Sequence, residues 1–304
     1  MDSSEAVQKH FLNLDELSTA TLQGLIARAL DLLRGAAPQS LDATIANLFF
    51  EPSTRTRVSF ELAAHALNAT VTNIELDRSS ATKGETLEDT AATLAAMGVD
   101  ALVVRHPESG GLEALREGLL TPIHLINAGD GNGRHPSQAL LDAATLEASG
   151  LDWPNATLAI VGDLRHSRVA RSGLSLFKRL GLGEVRLAGP ENLLPDWGSE
   201  AGMVYVHSLE DAVRNADAVM MLRVQHERMD QEAWPDPASY ARDWCLTSEH
   251  LRRARPGCRV LHPGPINRGM EIDPSVADGD QSLILDQVRM GVFARMAIFE
   301  WLLA

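Results

Sequence analysis

Thr44-Ile-Ala-Asn-Leu-Phe-Phe-Glu-Pro-Ser-Thr-Arg-Thr-Arg-Val-Ser-Phe-Glu61 changes character at its middle. The run Thr44–Phe50 is apolar and rich in β-branched and aromatic residues, which reads as a buried strand. Pro52 has no N–H to donate to a ladder and ends it. From Ser53 or Thr54 the apolar residues fall at helical spacing, which predicts a helix over 54–67 with Ser or Thr as its cap. A buried strand that passes through a short polar turn into a helix is a βα unit, and repeating it builds a parallel sheet covered on both faces.

The unit does repeat. Further strands are expected at Thr70–Leu76, Ala101–Arg105 and Pro122–Asn127, with helices at Leu17–Leu33, Thr86–Met97 and Pro136–Ala148. The second half shows the same rhythm, with strands at Thr157–Gly162, Glu184–Ala188, Val204–His207, Ala218–Leu222 and Arg259–Leu261 and a helix from about His166 to Leu180. The turn-rich segment Gly150–Asn155 at mid-chain marks the expected boundary between two open α/β domains. The expected division is residues 1–148, residues 149–282, and a final helix over 283–304 that packs back on the first domain. The fold class is therefore α/β, two doubly wound parallel-sheet domains.

The chain has 304 residues, 27 basic and 41 acidic, for a formal charge of −14. That balance excludes a nucleic-acid binder working through a broad basic surface. Only Lys9, Lys83 and Lys178 are lysines, so nearly all the basic residues are arginines, the residue suited to bidentate capture of small anions. No run approaches a membrane span and the opening residues lack the order of a signal peptide, so a cytoplasmic protein with no membrane partner is expected. Cys245 and Cys258 are not in a CxxC spacing, and His10, His65, His124, His166, His207, His226 and His250 show no metal-ligand spacing. Neither a thiol enzyme nor a metal site is expected, and no cofactor.

In open α/β sheets ligands sit beyond the carboxyl ends of the strands. Polar segments follow strand after strand here: Ser53–Thr56, Arg105–Pro107, Asn127–Gln138, Asp163–Arg171, Arg223–Arg228 and His262–Arg268. These loops are expected to face one cleft. At the first of them, capping accounts for the hydroxyls but not for Arg55 and Arg57, which stand in the first turn where the helix dipole is already positive. A phosphate held by first-turn N–H groups, the hydroxyls of Ser53, Thr54 and Thr56 and a guanidinium satisfies all of them together. No GxxxxGK[ST] or GxGxxG loop competes, so the phosphate-bearing ligand is small.

Ser53-Thr-Arg-Thr56, Lys83-Gly-Glu85, Arg105-His-Pro107, Asn127-Ala-Gly-Asp-Gly131, His135-Pro-Ser-Gln138, Arg223-Val-Gln225 and His262-Pro-Gly-Pro265, in this order, resemble the catalytic chains of the aspartate carbamoyltransferase family. The resemblance spans nearly the whole chain. It implies transfer of a carbamoyl group from carbamoyl phosphate to L-aspartate in de novo pyrimidine (UMP) biosynthesis. It also implies a carbamoyl-phosphate-binding first domain, an aspartate-binding second domain, and an active site in the cleft between them and at a subunit interface.

Residue by residue, the resemblance implies that Ser53, Thr54, Arg55 and Thr56 hold the phosphate. Arg105 would bridge phosphate and carbonyl oxygen, and His135 and Gln138 would contact the carbamoyl group. Backbone carbonyls around Gly264 and Pro265 would take its NH2. Arg55, Thr56, Arg105 and His135 form the expected catalytic set. Lys83, Arg168, Arg223 and Gln225 are the expected aspartate ligands, while Arg165, Arg171 and Arg228 stand equally well as helix-surface charges. His106, Asp163, Glu51 and Glu85 are expected to stabilise loops. In the family the Lys83 loop reaches the neighbouring subunit's site, which implies a homotrimer, with Ser79 or Ser80 serving beside Lys83. The Asn267-Arg268 element resembles bacterial forms that are free trimers or paired with dihydroorotase-like chains; regulatory chains are the family's other partners. An ornithine-type enzyme would carry a cysteine where Pro263 stands, and its cationic substrate would fit poorly beside Arg168, Arg223 and Lys83. A non-catalytic paralogue would have lost some of these residues, and all are present.

Overall fold

The computed structural model describes residues 8–74, 85–195, 197, 202–225 and 236–304. Helix α1 (Thr19–Leu33) starts where the Ser18 hydroxyl accepts the Thr21 N–H, and buries Leu22, Leu25, Ile26 and Ala29 along one stripe. Strand β1 (Thr44–Phe49) is buried from Ile45 to Leu48 and leads into α2 (Thr54–Ala66). Then follow β2 (Thr70–Ile74), α3 (Leu87–Ala96) capped by Thr86, β3 (Ala101–His106), α4 (Gly111–Gly118), β4 (His124–Asp130) and α5 (Pro136–Ala148). The second half runs β5 (Thr157–Val161), α6 (Arg168–Arg179), β6 (Glu184–Ala188), β7 (Met203–Tyr205), α7 (Leu209–Val213) and β8 (Ala218–Met221). It continues through α8 (Pro237–Trp244), α9 (Ser248–Leu251), β9 (Arg259–Leu261), α10 (Pro274–Ala277) and α11 (Ile284–Leu303). Among the described residues no helix is long and apolar enough to cross a membrane.

The chain divides into two compact units, Met1–Leu141 with Met290–Ala304, and Asp142–Arg289. Among the described residues the first unit holds a parallel sheet in the order β2-β1-β3-β4. From β1 the chain moves outward to β2, then crosses back to β3 on the other side. The strand order therefore reverses between β1 and β3, where a crevice opens at the carboxyl ends. Leu48, Leu102, Val104 and Leu125 pack beneath Leu112 and Leu115 of α4, and burying each such side chain contributes about 2 kcal/mol.

The second unit's sheet is also parallel, in the order β7-β6-β5-β8-β9, so its reversal lies between β5 and β8. Its core gathers Val161, Val219, Met221 and Val260 with Val213 and Ile272.

Two attachments complete the first unit. Phe11 lies along the outer edge of β4, donating to Leu125 O at 2.8 Å and accepting from Asn127 N–H at 2.9 Å. Glu300 near the end of α11 receives the Arg28 guanidinium at 2.6 and 2.9 Å and the Gln39 N–H at 2.8 Å, while Phe299 meets Phe60 edge-on. Some elements differ from expectation. The strand expected at 204–207 is the shorter β7, and β4 begins at His124 and continues to Asp130. Helix α4 was not expected, because glycines at 110, 111 and 118 make its eight residues read as a turn.

Candidate active site

In the first unit, three neighbouring strands end at the reversal point. β1 passes into Ser53–Thr56, β3 ends at Arg105-His106, and β4 ends at Asp130 and leads to His135. Register sets Arg105 opposite Phe49 and His106 opposite Asp130. Adjacent strands lie about 4.8 Å apart, so these termini form one continuous polar rim.

Ser53 stands at the cap position of α2, yet its side chain makes no capping bond. No acidic residue occupies the first turn, whereas Arg55 and Arg57 do. Thr54, Arg55 and Arg57 are exposed, and Thr56 is buried. The first turn of α2 thus carries helix N–H groups, hydroxyls and a guanidinium, a set suited to a phosphate dianion.

Arg105 is held on two sides. Its Nη2 lies 3.1 Å from Glu51 Oε2, and its Nη1 donates to Ala128 O at 3.3 Å. Glu51 sits just after β1, so one carboxylate ties the Ser53–Thr56 loop to the Arg105 strand. His106 turns to a local task, its Nδ1 accepting the Glu108 N–H at 3.1 Å. The β4 loop is built by Asn127, which accepts from Gly129 N–H at 2.7 Å, and by Asp130, which accepts from Gly110 at 3.1 Å and Arg134 at 2.5 Å. Gly131 follows at φ +38°, and a Cβ there would stand 2.7 Å from Pro107 O, so only glycine fits. That turn delivers His135 and Gln138, both buried, to the first turn of α5, where His135 O accepts the Gln138 N–H at 3.0 Å.

In the second unit β5, β8 and β9 end side by side and release Gly162-Asp163, Leu222–Gln225 and His262–Pro265. Asp163 is fully buried. Its Oδ1 accepts from His166 N at 3.2 Å and faces His166 Nδ1 at 2.9 Å, and its Oδ2 accepts from Gln225 N at 3.1 Å. The Gln225 amide in turn donates to His166 O at 2.9 Å. Asp163 therefore fastens the Arg223–Gln225 segment to the start of α6. That helix is capped by Ser167, whose hydroxyl accepts from Ala170 N–H, and its first turn carries Arg168, only 4% exposed, with no acidic residue. A buried guanidinium at a positive helix end suits a carboxylate. Arg165 is otherwise engaged, both its Nε and Nη2 donating to Leu194 O.

The His262–Pro265 loop has its own support. His262 N–H donates to Gln287 Oε1 at 2.8 Å, and the Gly264–Pro265 peptide is cis. The buried His262 ring lies between Gly264 N, 2.8 Å from Nδ1, and Glu271 Oε1, 3.0 Å from Nε2. Glu271 was not among the expected site residues. Its only signal in the sequence is its place three residues after the His262–Arg268 segment, because a buried charge cannot be told from a surface one by spacing. Tyr240 packs in the same unit, and burial, with Glu271 and Asp163 close by, pushes its hydroxyl well above the usual range.

Lys83, Ser79, Ser80, His226 and Arg228 lie outside the described residues. Among the described residues no cluster of three His, Cys, Asp or Glu side chains could hold a metal. Burial pushes the Cys245 thiol up to about 11 and the Cys258 thiol up to about 12, which keeps both protonated near neutral pH.

Residues 9–148 match the family model described as the carbamoyl-P binding domain of aspartate/ornithine carbamoyltransferases, and residues 154–302 match the Asp/Orn binding domain. The chain belongs to the aspartate/ornithine carbamoyltransferase family. Within it the chain is 48% identical over 308 residues to the aspartate carbamoyltransferase catalytic subunit of Xanthomonas campestris pv. campestris, covering 99% of this chain and 98% of that one. It is 46% identical to the same subunit of Stenotrophomonas maltophilia, over 97% and 96% of the two chains. Among solved carbamoyltransferase structures it resembles Trypanosoma cruzi aspartate transcarbamoylase in complex with carbamoyl aspartate and phosphate. The TM-score is 0.85 at 30% identity, over 97% of this chain and 96% of that one. The same enzyme in complex with N-(phosphonacetyl)-L-aspartic acid gives a TM-score of 0.84 at 30% identity, with the same coverage.

Proposed function

We propose that this chain transfers the carbamoyl group of carbamoyl phosphate to the amine of L-aspartate, giving N-carbamoyl-L-aspartate and phosphate. The observation that carries the reading is the pair of arginine-bearing rims, one in each unit, each at the point where strand order reverses. Each suits an anion, and both substrates are anions. The full-length likeness to chains named aspartate carbamoyltransferase supports the acceptor.

Ser53, Thr54, Arg55 and Thr56 bind the phosphate, and Arg105 spans phosphate and carbonyl oxygen. Arg168, Arg223 and Gln225 take the aspartate carboxylates, joined by Lys83. The amine lone pair attacks the carbonyl carbon, and the charge that develops on its oxygen is met by Arg105, His135 and Thr56. The C–O bond to phosphate then breaks as the new N–C bond is completed, and the departing phosphate takes the amine proton, so no side-chain base is needed. Gln138 and the backbone carbonyls at Gly264 and Pro265 hold the carbamoyl NH2 in plane. Positioning and charge stabilisation supply the acceleration.

A cytoplasmic homotrimer, with Lys83 and either Ser79 or Ser80 serving the neighbouring site, belongs to the same reading, as does the place in pyrimidine biosynthesis. Steady-state kinetics with both substrates tests the division of labour. Arg55→Ala raises the KM for carbamoyl phosphate, and Arg168→Ala that for L-aspartate, each by about 10- to 100-fold for a lost charge-assisted contact. Reversed effects, or none, contradict the assignment.

A further inference from the structure

We propose that Glu271 is a positioning residue for carbamoyl transfer, acting through the His262 ring on the Gly264–Pro265 backbone. The inference rests on the reading above, in which that backbone holds the carbamoyl NH2. The Gly264 N–H can only donate, so His262 Nδ1, 2.8 Å away, accepts. The ring proton therefore sits on Nε2 and is given to Glu271 Oε1 at 3.0 Å. The same oxygen accepts the Asn267 N–H at 2.6 Å, so a single carboxylate grips the loop on both sides of Pro265.

Histidine and glutamate are both buried, and Glu271 Oε2 has no hydrogen-bond partner among the described residues. A half-satisfied buried carboxylate is costly, so stability alone does not explain it. Its chemistry does. A carboxylate only accepts, and so it holds the proton on Nε2 and leaves Nδ1 open to Gly264. An apolar residue would leave the tautomer unset, and the other tautomer would turn an N–H against the Gly264 N–H and release the loop.

Two measurements test this. In protein carrying 15N-labelled histidine, NMR shows His262 as the Nε2–H tautomer, and that form is lost in Glu271→Ala. In steady-state assays Glu271→Ala lowers kcat by about 10- to 100-fold, as loss of an orienting partner does, while the KM for L-aspartate stays within about threefold. His262→Asn, whose Oδ1 can stand in for Nδ1, keeps more activity than His262→Leu. Should Glu271→Ala not fold, Glu271→Gln gives the same effects at smaller amplitude, since its amide can also present N–H to the ring. A folded Glu271 variant with wild-type kcat, or a wild-type His262 protonated on Nδ1, overturns the proposal. A wild-type protein that does not carbamoylate aspartate defeats the functional reading instead, and the tautomer then decides the relay by itself.

Discussion

Arg105 shows how far a single residue can be read before the fold is seen. An arginine that ends an apolar strand opposite a phosphate loop is visible in the sequence; the carboxylate that aims it is not. Glu51 and Arg105 meet because β1 and β3 are neighbours in a register that sets Phe49 beside Arg105, a pairing no local pattern contains. The pairing of His262 with Glu271 was hidden for a related reason, since burial and tautomer come from packing. Replacing Arg105 by alanine removes a donor to the developing oxyanion, and turnover is expected to fall by about 10²-fold or more in steady-state assays. Near-normal turnover would remove it from the mechanism.

Helix starts separate capping from binding. Ser53 and Ser167 occupy equivalent positions before α2 and α6, but only Ser167 makes the capping bond, 3.1 Å from Ala170 N to its hydroxyl. Ser167→Ala is expected to cost about 1 kcal/mol in urea unfolding. Ser53→Ala is expected to leave unfolding nearly unchanged and to raise the KM for carbamoyl phosphate. From its residue type Ser53 reads as a cap; the backbone geometry at Ser53 decides otherwise.

The segment laid against β4 was not legible at all, being too short for a period to show. It contains His10, whose Nδ1 accepts the Leu125 N–H at 3.2 Å. Burial, then His124 and Arg116, lower its pKa from 6.5 to about 4. The unfolded chain takes up this proton near pH 6.5 and the native fold only near pH 4. Stability is therefore expected to fall as pH drops through that window and to level off below it. Unfolding curves at pH 7 and 4.5 should differ less in His10→Asn, which keeps an acceptor but cannot titrate.

At the scale of the whole molecule, a chain of net charge −14 with three lysines places arginines at the carboxyl ends of two parallel sheets. The alternation of apolar runs and helical stretches made both sheets readable, since parallel strands buried on both faces leave an unbroken apolar signature. A final helix packing back on the first domain was expected from the sequence; its pairing of Glu300 with Arg28 was not readable there. The claim that unites the two rims is that one accepts an acyl phosphate and the other a dicarboxylate, for one transfer. The most direct test supplies the purified protein with 13C-labelled carbamoyl phosphate and equal concentrations of L-aspartate and L-ornithine, and identifies the labelled product by NMR. N-carbamoyl-L-aspartate should form with release of phosphate; carbamoylated ornithine in its place would contradict the account.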